Sequence, residues 1–290
     1  MNKIDKLIGP KFKKIRKRSN ISLKKLCIDV PITSTSVLSR WERGEEYLPI
    51  EIFDKLLDYF HISYFEIGTS EKELKSVIQK ISILYQENNI QKLHDFSQDL
   101  LNKYLNENNN NKFVKLELLF KSAMANNYYL DLSGNDLTNR DYKLSLLNQI
   151  AKINNWLDKE VILFANVQLL LDPTAVYKLS RSLLSKMYED NIVSLNESIA
   201  ILNAVFVLIK KKEVTKAEKL LSIIKKINFD DNDLLVKIRI QFVEQLINYL
   251  NTRDKDKILN FLFMIKEVFD QQLYSDFMFT FQQIKEIYDN

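Results

Sequence analysis

Five polar side chains follow one another closely near the N-terminus: Ser34, Thr35, Ser36, Ser39 and Arg40. The apolar residues among them, Val37, Leu38 and Trp41, are spaced so that a helix would bury one face and turn the polar set outward. A guanidinium can donate two parallel hydrogen bonds to guanine O6 and N7, and hydroxyls bond to base edges or phosphates. We expect Arg40 to supply most of the direct base recognition, with DNA shape supplying the remainder. The pattern therefore predicts a helix that reads DNA.

Two helices with a short break between them would position this set. Ser22 is a candidate N-cap for the first helix, and either Thr33 or Ser34 can cap the second. Residues 30–32 leave room for a tight turn that sets the two helices at a steep angle. This is the arrangement of a helix-turn-helix, whose second helix enters the major groove.

Positive charge is concentrated in the same region. Residues 1–44 contain twelve Lys/Arg and three Asp/Glu, and because the whole chain has a formal net charge of +4, residues 45–290 sum to −5. Such asymmetry is typical of a surface that binds a polyanion. Ser22, at a helix start, is expected to bring backbone N–H groups to a phosphate. Four basic residues are expected to neutralise phosphates: Lys13, Arg16, Lys24 and Arg43.

Composition predicts an all-α protein. Only four Gly and four Pro occur in 290 residues, well below the usual frequencies of about 7% and 5%. Residues 69–290 contain one of each, and so long a segment without helix breakers is typical of stacked helices.

The pattern divides the chain into an N-terminal domain over residues 1–68 and a helical domain over residues 69–290. Five helices are predicted in the first domain, at about 6–18, 22–29, 34–43, 49–59 and 64–67. Beyond the boundary at residues 68–70, helices are predicted near 71–88, 90–107, 112–130, 139–155, 158–171, 174–189, 194–211, 213–227, 231–251, 254–271 and 273–288. Taken in pairs they recur at about 40 residues, as in an α-solenoid of tetratricopeptide-like repeats, although an irregular helical bundle would share this composition.

Few residues are suited to catalysis or metal binding. His61 and His94 have no acid or nucleophile signature nearby, and one cysteine with two histidines gives no known ligand spacing. The isolated glycines cannot form a phosphate-binding loop. We therefore expect a protein that is not an enzyme and has no cofactor or metal.

The single cysteine and the hydropathy pattern indicate where the protein works. Cys27 fits a reducing cytoplasm, as a structural thiol or, alternatively, a redox sensor. No segment has the length of a membrane span, which predicts a cytoplasmic protein without membrane contact.

The chain resembles a known family of regulators. Residues 12–16, 22–26 and 36–45 resemble the XRE class of helix-turn-helix, which is the lambda-repressor-like class of phage repressors. With its length and helical remainder, the whole chain resembles the Rgg/GadR/MutR regulators of the peptide-pheromone-sensing superfamily, and residues 156–166 and 202–209 fit that family too. The resemblance implies a homodimer that binds double-stranded DNA. It also implies a repeat domain whose concave face holds a short signalling peptide that alters transcription.

Particular residues follow from this resemblance. Thr35, Ser36 and Arg40 match the base-reading positions of the repressor class. Asn166 and Asn203 match family positions whose amides bond to an extended peptide backbone. Some members have a cysteine just after the Glu-Arg-Gly motif that can link two subunits, but Glu45 follows it here, which excludes a disulfide at that place. Candidates for a peptide carboxylate or acidic side chain are Lys121, Lys237 and Arg239.

Other interpretations stay open at this point. Asn166 would equally satisfy a neighbouring helix, and the three basic residues would suit solvated helix faces. The helical domain could serve only to dimerise a regulator that has no peptide ligand. The chain could also be a scaffold that recruits another protein while its basic domain tethers it to DNA. A groove lined by Asn, Tyr and basic residues would favour peptide sensing, and a filled apolar groove would favour a purely structural domain.

Overall fold

The computed structural model describes residues 3–4, 8–30, 34–62, 67, 71–107, 112–153, 156–190, 194–229 and 233–289. Over these ranges the chain forms fifteen α-helices, one 3-10 turn and one short antiparallel strand pair, so the predicted all-α class is confirmed. Contacts divide the chain into two compact units, residues 1–163 and 164–290. The expected domain boundary at residues 68–70 lies outside the described residues and stays a prediction.

Four helices and a strand pair form the N-terminal region. They are α1 (Gly9–Arg18), α2 (Leu23–Asp29), α3 (Thr35–Glu42) and α4 (Ile50–Phe60), with β1 (Lys3–Ile4) antiparallel to β2 (Leu48–Pro49). Pro10 lies in the first turn of α1, where its missing N–H costs nothing. Ser22 Oγ accepts from Lys25 N at 3.1 Å, and Ser34 Oγ accepts from Val37 N at 3.3 Å. Both capped helix starts were predicted. Residues 64–66 of the predicted fifth helix lie outside the described residues.

The indole of Trp41 lies at the centre of this region. It is fully buried, and its ring centroid is 5.2 Å from that of Phe12 and 5.6 Å from that of Phe53. A Cβ added to Gly9 would lie 1.8 Å from the Trp41 carbonyl oxygen, so the start of α1 meets the backbone of α3 directly. Twelve apolar residues, most of them spaced three or four apart within the helices, are buried in this cluster or packed against it: Ile8, Phe12, Ile15, Leu23, Leu26, Val37, Leu38, Ile52, Leu56, Leu57, Phe60 and Ile62.

Longer helices follow. They are α5 (Glu71–Gln86), α6 (Ile90–Asn106), α7 (Lys112–Ser133), α8 (Arg140–Ile150) and α9 (Asp158–Ala165). Helix α6 packs along α7, α5 contacts both, and α8 contacts α7. The buried Tyr142 hydroxyl donates to the Leu119 carbonyl at 3.0 Å and lies 2.6 Å from Ser122 Oγ, which satisfies the polar groups between α7 and α8.

The second unit is arranged around one buried helix. Its elements are a 3-10 turn (Gln168–Leu170), α10 (Pro173–Asp190), α11 (Leu195–Lys210), α12 (Val214–Ile224), α13 (Leu234–Thr252), α14 (Asp256–Val268) and α15 (Gln271–Asp289). Helix α11 contacts α10, α12, α13 and α15. Ser194 and Glu197 form a capping box at its start, and the buried Glu197 carboxylate is paired with Lys186.

One predicted helix is interrupted. The pattern predicts a continuous helix over residues 158–171, but α9 ends at Ala165 and a 3-10 turn follows. Two hydrogen bonds from amide side chains to backbone carbonyls stabilise the chain at this break. Asn203 Nδ2 donates to the Ala165 carbonyl at 3.3 Å, and Gln168 Nε2 donates to the Ala200 carbonyl at 2.9 Å. Contacts with α11 therefore override local helix propensity here.

Within the described ranges, none of the helices combines the length and the apolar character that a membrane span requires.

Candidate nucleic-acid interface

Helix α3 turns its polar side chains outward because its opposite face is fixed in the core. Leu38 and Trp41 are fully buried. The side chains of Ser34, Thr35, Ser36 and Arg40 are exposed, and Ser39 is half-buried. The structure thus brings the predicted base-reading residues together on one accessible helix face.

The C-terminus of α3 is closed by a turn that needs a glycine. Gly44 has a φ of +79°, in the left-handed region that residues with a Cβ seldom adopt. Its N–H donates to the Trp41 carbonyl at 2.8 Å, and the Glu45 N–H donates to the Arg40 carbonyl at 3.0 Å. These two bonds form a Schellman motif, which folds the chain back beside the last helical turn. Glu45 and Glu46 therefore lie next to the cations of α3.

The two arginines of this turn are held differently. Arg43 Nε and Nη2 donate to the two Glu45 carboxylate oxygens at 2.7 Å each, and Arg43 Nη1 donates to Ser39 Oγ at 2.8 Å. The hydrogen-bonded Arg43 guanidinium lowers the pKa of Glu45, with a smaller contribution from the charge of Arg40. Arg40 Nη2 lies 3.7 Å from Glu46 Oε2, beyond hydrogen-bonding distance, and its side chain is 51% exposed.

The structure contradicts the expectation that Arg16 contacts a phosphate. Its side chain is only 8% exposed, and its Nε and Nη2 donate to the two Glu42 carboxylate oxygens at 2.6 and 2.7 Å. Its Nη1 donates to the Ile21 carbonyl at 2.6 Å. Arg16 thus joins α1 to the end of α3, and all three of its guanidinium nitrogens are engaged within the N-terminal helices. We remove it from the candidate interface.

The other expected phosphate-binding residues are accessible to differing degrees. Lys24 is exposed on α2, and Lys13 is half-buried on α1. Ser22 is exposed and uses its hydroxyl to cap α2. Half-buried Cys27 packs against the core, and burial raises the pKa of its thiol, as expected for a structural thiol with little reactivity.

In the second unit the structure brings Asn166 and Asn203 together. Asn203 donates to the carbonyl of Ala165, and Asn166 is the next residue along the chain. Asn203 lies on the least buried stripe of α11, at spacings of three and four with Ile199, Phe206 and Lys210. This stripe, residues 199, 203, 206 and 210, combines apolar, amide and basic side chains.

The three basic candidates are not equivalent. Lys237 and Arg239 are two positions apart on α13, so they point about 200° away from each other. Arg239 shares a face with Phe242, whose ring lies 5.9 Å from that of Phe206 on the stripe, whereas Lys237 lies on the other side of α13. Lys121 belongs to the first unit and is already paired with Glu117 and Glu73. Of the three candidates, therefore, only Arg239 shares a helix face with a residue that contacts the stripe.

A match to a protein-family model identifies the family of this chain. Residues 98–278 match the family model described as the C-terminal domain of the HTH-type transcriptional regulator Rgg. The chain belongs to the Rgg family. The predicted resemblance is therefore confirmed, and the family is one of transcriptional regulators.

Solved structures agree with Rgg membership at the level of the fold. The SHP pheromone receptor Rgg2 of Streptococcus dysgalactiae superposes with a TM-score of 0.51 at 17% identity, covering 95% of this chain and 99% of that one. A protein of Listeria monocytogenes EGD-e assigned as a transcriptional regulator superposes with a TM-score of 0.54 at 14% identity, covering 96% and 97%. No curated protein sequence matches the chain.

The sequence reasoning missed three acidic residues that shape this site. Glu42 and Glu45 are hydrogen-bonded to Arg16 and Arg43, whereas Glu46 lies near Arg40 at 3.7 Å without a hydrogen bond. The sequence carries a local signal for the Arg43–Glu45 pair, because these oppositely charged residues flank Gly44. No local signal indicates the first pair, whose members are 26 positions apart.

Proposed function

We propose that this Rgg-family chain is a sequence-specific DNA-binding regulator of transcription whose activity is gated by a short peptide. The observation that carries the DNA-binding part is α3, capped by Ser34, closed at Gly44 and fixed by Trp41, with hydroxyls and Arg40 facing outward. A rigid helix of this kind presents side chains to base edges with little loss of entropy on binding. We place this activity in the cytoplasm.

In this proposal Arg40 reads guanine, and the hydroxyls of Thr35, Ser36 and Ser39 contact neighbouring base edges or phosphates. Lys13, Lys24 and Arg43 contact phosphates and fix the position of α3. Ser34 contributes by holding the N-terminal turn, since its hydroxyl already accepts from Val37 N and lies 2.7 Å from Ser36 Oγ.

The proposed peptide site is the half-buried stripe of α11. Asn203 and Asn166 would bond to the peptide backbone, and Arg239 would meet an acidic side chain or the terminal carboxylate. The solved relative Rgg2 is a pheromone receptor, which supports a peptide as the ligand class. Asn203 also bonds to the end of α9, so a peptide that engages its amide would act on the break at residues 166–167.

We further propose that the chain works as a homodimer. Two-fold symmetric operators suit paired helix-turn-helix domains. Helix α14 exposes apolar side chains that a second copy would cover, with Leu259 42%, Phe263 63% and Val268 66% exposed. Analytical ultracentrifugation tests this: we expect the chain to sediment as a dimer at micromolar concentration, and a monomer at every concentration would contradict the proposal.

Selection of duplexes from random DNA tests the DNA-binding part. We expect enrichment of one motif with two-fold symmetry and guanine at the position that Arg40 contacts. Recovery of unenriched random DNA would contradict sequence-specific binding and favour a scaffold that uses DNA only as a tether.

Titration of short synthetic peptides against the chain tests the sensing part. Asn203→Ala should weaken binding by about fivefold to 150-fold, since one lost buried hydrogen bond to a peptide group costs about 1–3 kcal/mol. Asn260→Ala, an exposed amide on α14, is the matched control and should bind as the unaltered chain does. Equal binding by both variants would remove the α11 stripe from the site.

A further inference from the structure

Glu45 occupies a position where a carboxylate is unexpected if the neighbouring surface binds a polyanion. The Schellman motif at Gly44 brings it against the last turn of α3, on the exposed side of the domain. Its side chain is 52% exposed. A carboxylate near bound phosphates would repel them, so its presence at this surface has to be explained.

The hydrogen bonds of Arg43 supply the explanation. Its Nε and Nη2 are taken by the two oxygens of Glu45, and Nη1 is taken by Ser39 Oγ. This is the fork-to-carboxylate geometry that a phosphate would otherwise use. A phosphate can therefore bind Arg43 in this way only by displacing Glu45.

Arg40 is not restricted in this way. Its acidic neighbour, Glu46, is 3.7 Å away and makes no hydrogen bond to it. The base-reading cation is thus available while the phosphate-binding cation is occupied. Two neighbouring arginines at the end of one helix differ because one acid lies within hydrogen-bonding distance and the other does not.

We propose that Glu45 is a specificity-determining residue that withholds Arg43 from the phosphates of DNA lacking the operator. This rests on the proposed DNA-binding function. Binding to arbitrary DNA depends almost wholly on phosphate contacts, so it has no other interactions to offset the loss of the Arg43–Glu45 bonds. On an operator, base contacts made by Arg40 hold α3 close to the duplex, and a phosphate then replaces the carboxylate.

The charge state of the pair is consistent with this exchange. Because Arg43 lowers the pKa of Glu45, the carboxylate is ionised at neutral pH and competes fully with phosphate. Arg43 would make two charge-assisted hydrogen bonds either to Glu45 or to a phosphate. Because the two arrangements are similar in strength, modest additional contacts with DNA decide between them.

Glu45→Gln tests the proposal. Affinities are measured over a range of salt for two duplexes of equal length and composition: one enriched from random DNA by the unaltered chain, and its scrambled counterpart. On the scrambled duplex we expect tighter binding, by about threefold to tenfold at physiological salt, and a log–log salt slope steeper by about 0.9, as for one added phosphate contact. On the enriched duplex the slope should not change, because Arg43 already contacts phosphate there.

Glu46→Gln is the matched control, since it removes the same charge one residue further on without breaking a hydrogen-bonded ion pair. It should change the affinity for both duplexes by a similar factor and leave both slopes unchanged. Arg43→Gln provides a second measurement and should weaken binding to the enriched duplex more than to the scrambled one, because only the enriched duplex loses a phosphate contact. Unfolding temperatures of the variants, compared with that of the unaltered chain, check that each variant is folded.

Three results would overturn the inference while leaving the proposed function intact: an unchanged slope for Glu45→Gln on scrambled DNA, an equal steepening on both duplexes, or the same effect from Glu46→Gln. If the unaltered chain binds both duplexes equally, the proposed function fails, and this inference fails with it.

Discussion

At the scale of single residues, position in the fold decides what each arginine does. Arg16, Arg40 and Arg43 all lie in the basic N-terminal region, yet Arg16 is buried against Glu42, Arg43 is bonded to Glu45 at the surface, and Arg40 is largely exposed. All three have the same charge. Burial separates Arg16 from the two surface arginines, and the distance to the nearest acid separates Arg43 from Arg40.

Arg40→Ala should weaken binding to the enriched duplex by about 1–3 kcal/mol and relax the preference at one base pair, because a bidentate guanine contact is lost. Repeating the selection from random DNA with the variant measures this. The exposed Arg140 of α8 is the control, and Arg140→Ala should leave the motif as it is. An unaltered motif for Arg40→Ala would remove this residue from base recognition.

Arg16→Gln should destabilise the N-terminal helices by about 3–5 kcal/mol, since it leaves the Glu42 carboxylate buried without its partner. Chemical denaturation monitored at Trp41 measures this. Replacing both members, as Arg16→Met with Glu42→Leu, should restore much of the stability because no buried charge is left unpaired. If Arg16→Gln unfolds like the unaltered chain but loses salt-dependent DNA affinity, the original expectation of a phosphate contact is correct.

At the scale of elements, close contact between α1 and α3 sets the orientation of α3. Gly9 allows the first turn of α1 to touch the carbonyl of Trp41. The same α3 is fixed from its other side by Phe53 of α4. Any side chain at residue 9 would have to separate α1 from α3.

Gly9→Ala should therefore destabilise the N-terminal helices by about 1–3 kcal/mol and reduce affinity for the enriched duplex. Gly134→Ala is the control. A Cβ there meets no atom within 4 Å, so only the strain of its positive φ is added, and DNA affinity should not change. Equal stability of the Gly9 variant and the unaltered chain would show that α1 can shift without disturbing α3.

Helix boundaries fixed by hydrogen bonds between neighbouring residues could be predicted from the sequence. Boundaries fixed by residues far away in the sequence could not. Ser22 and Ser34 cap helices through hydrogen bonds to residues three positions on, so the sequence sufficed for both. The break after Ala165 depends on Asn203, which is 38 positions away. For the same reason Arg16 was wrongly assigned to the DNA surface, because its partner Glu42 has no local signature.

At the scale of the whole molecule, charge is distributed unevenly along the chain. Positive charge is concentrated in residues 1–44, while the remainder has a net charge of −5. Such a distribution favours association of the N-terminal end with a polyanion.

Lys13→Ala should weaken binding to all duplexes by a similar factor and reduce the magnitude of the log–log salt slope by about 1, if Lys13 neutralises one phosphate. Lys55→Ala, an exposed lysine of α4, is the control with the same loss of charge. A slope that does not change for Lys13→Ala would exclude it from the DNA surface.

The central claim is that peptide binding and DNA binding are coupled in this Rgg-family regulator. The most direct measurement is binding of the chain to DNA upstream of its own gene and its neighbours, with and without short synthetic peptides encoded nearby. We predict tight, sequence-specific binding whose affinity or bound complex changes with one peptide, and loss of that change in Asn203→Ala. Sequence-specific binding that is indifferent to every peptide would contradict the claim and leave a regulator whose helical domain serves only to dimerise.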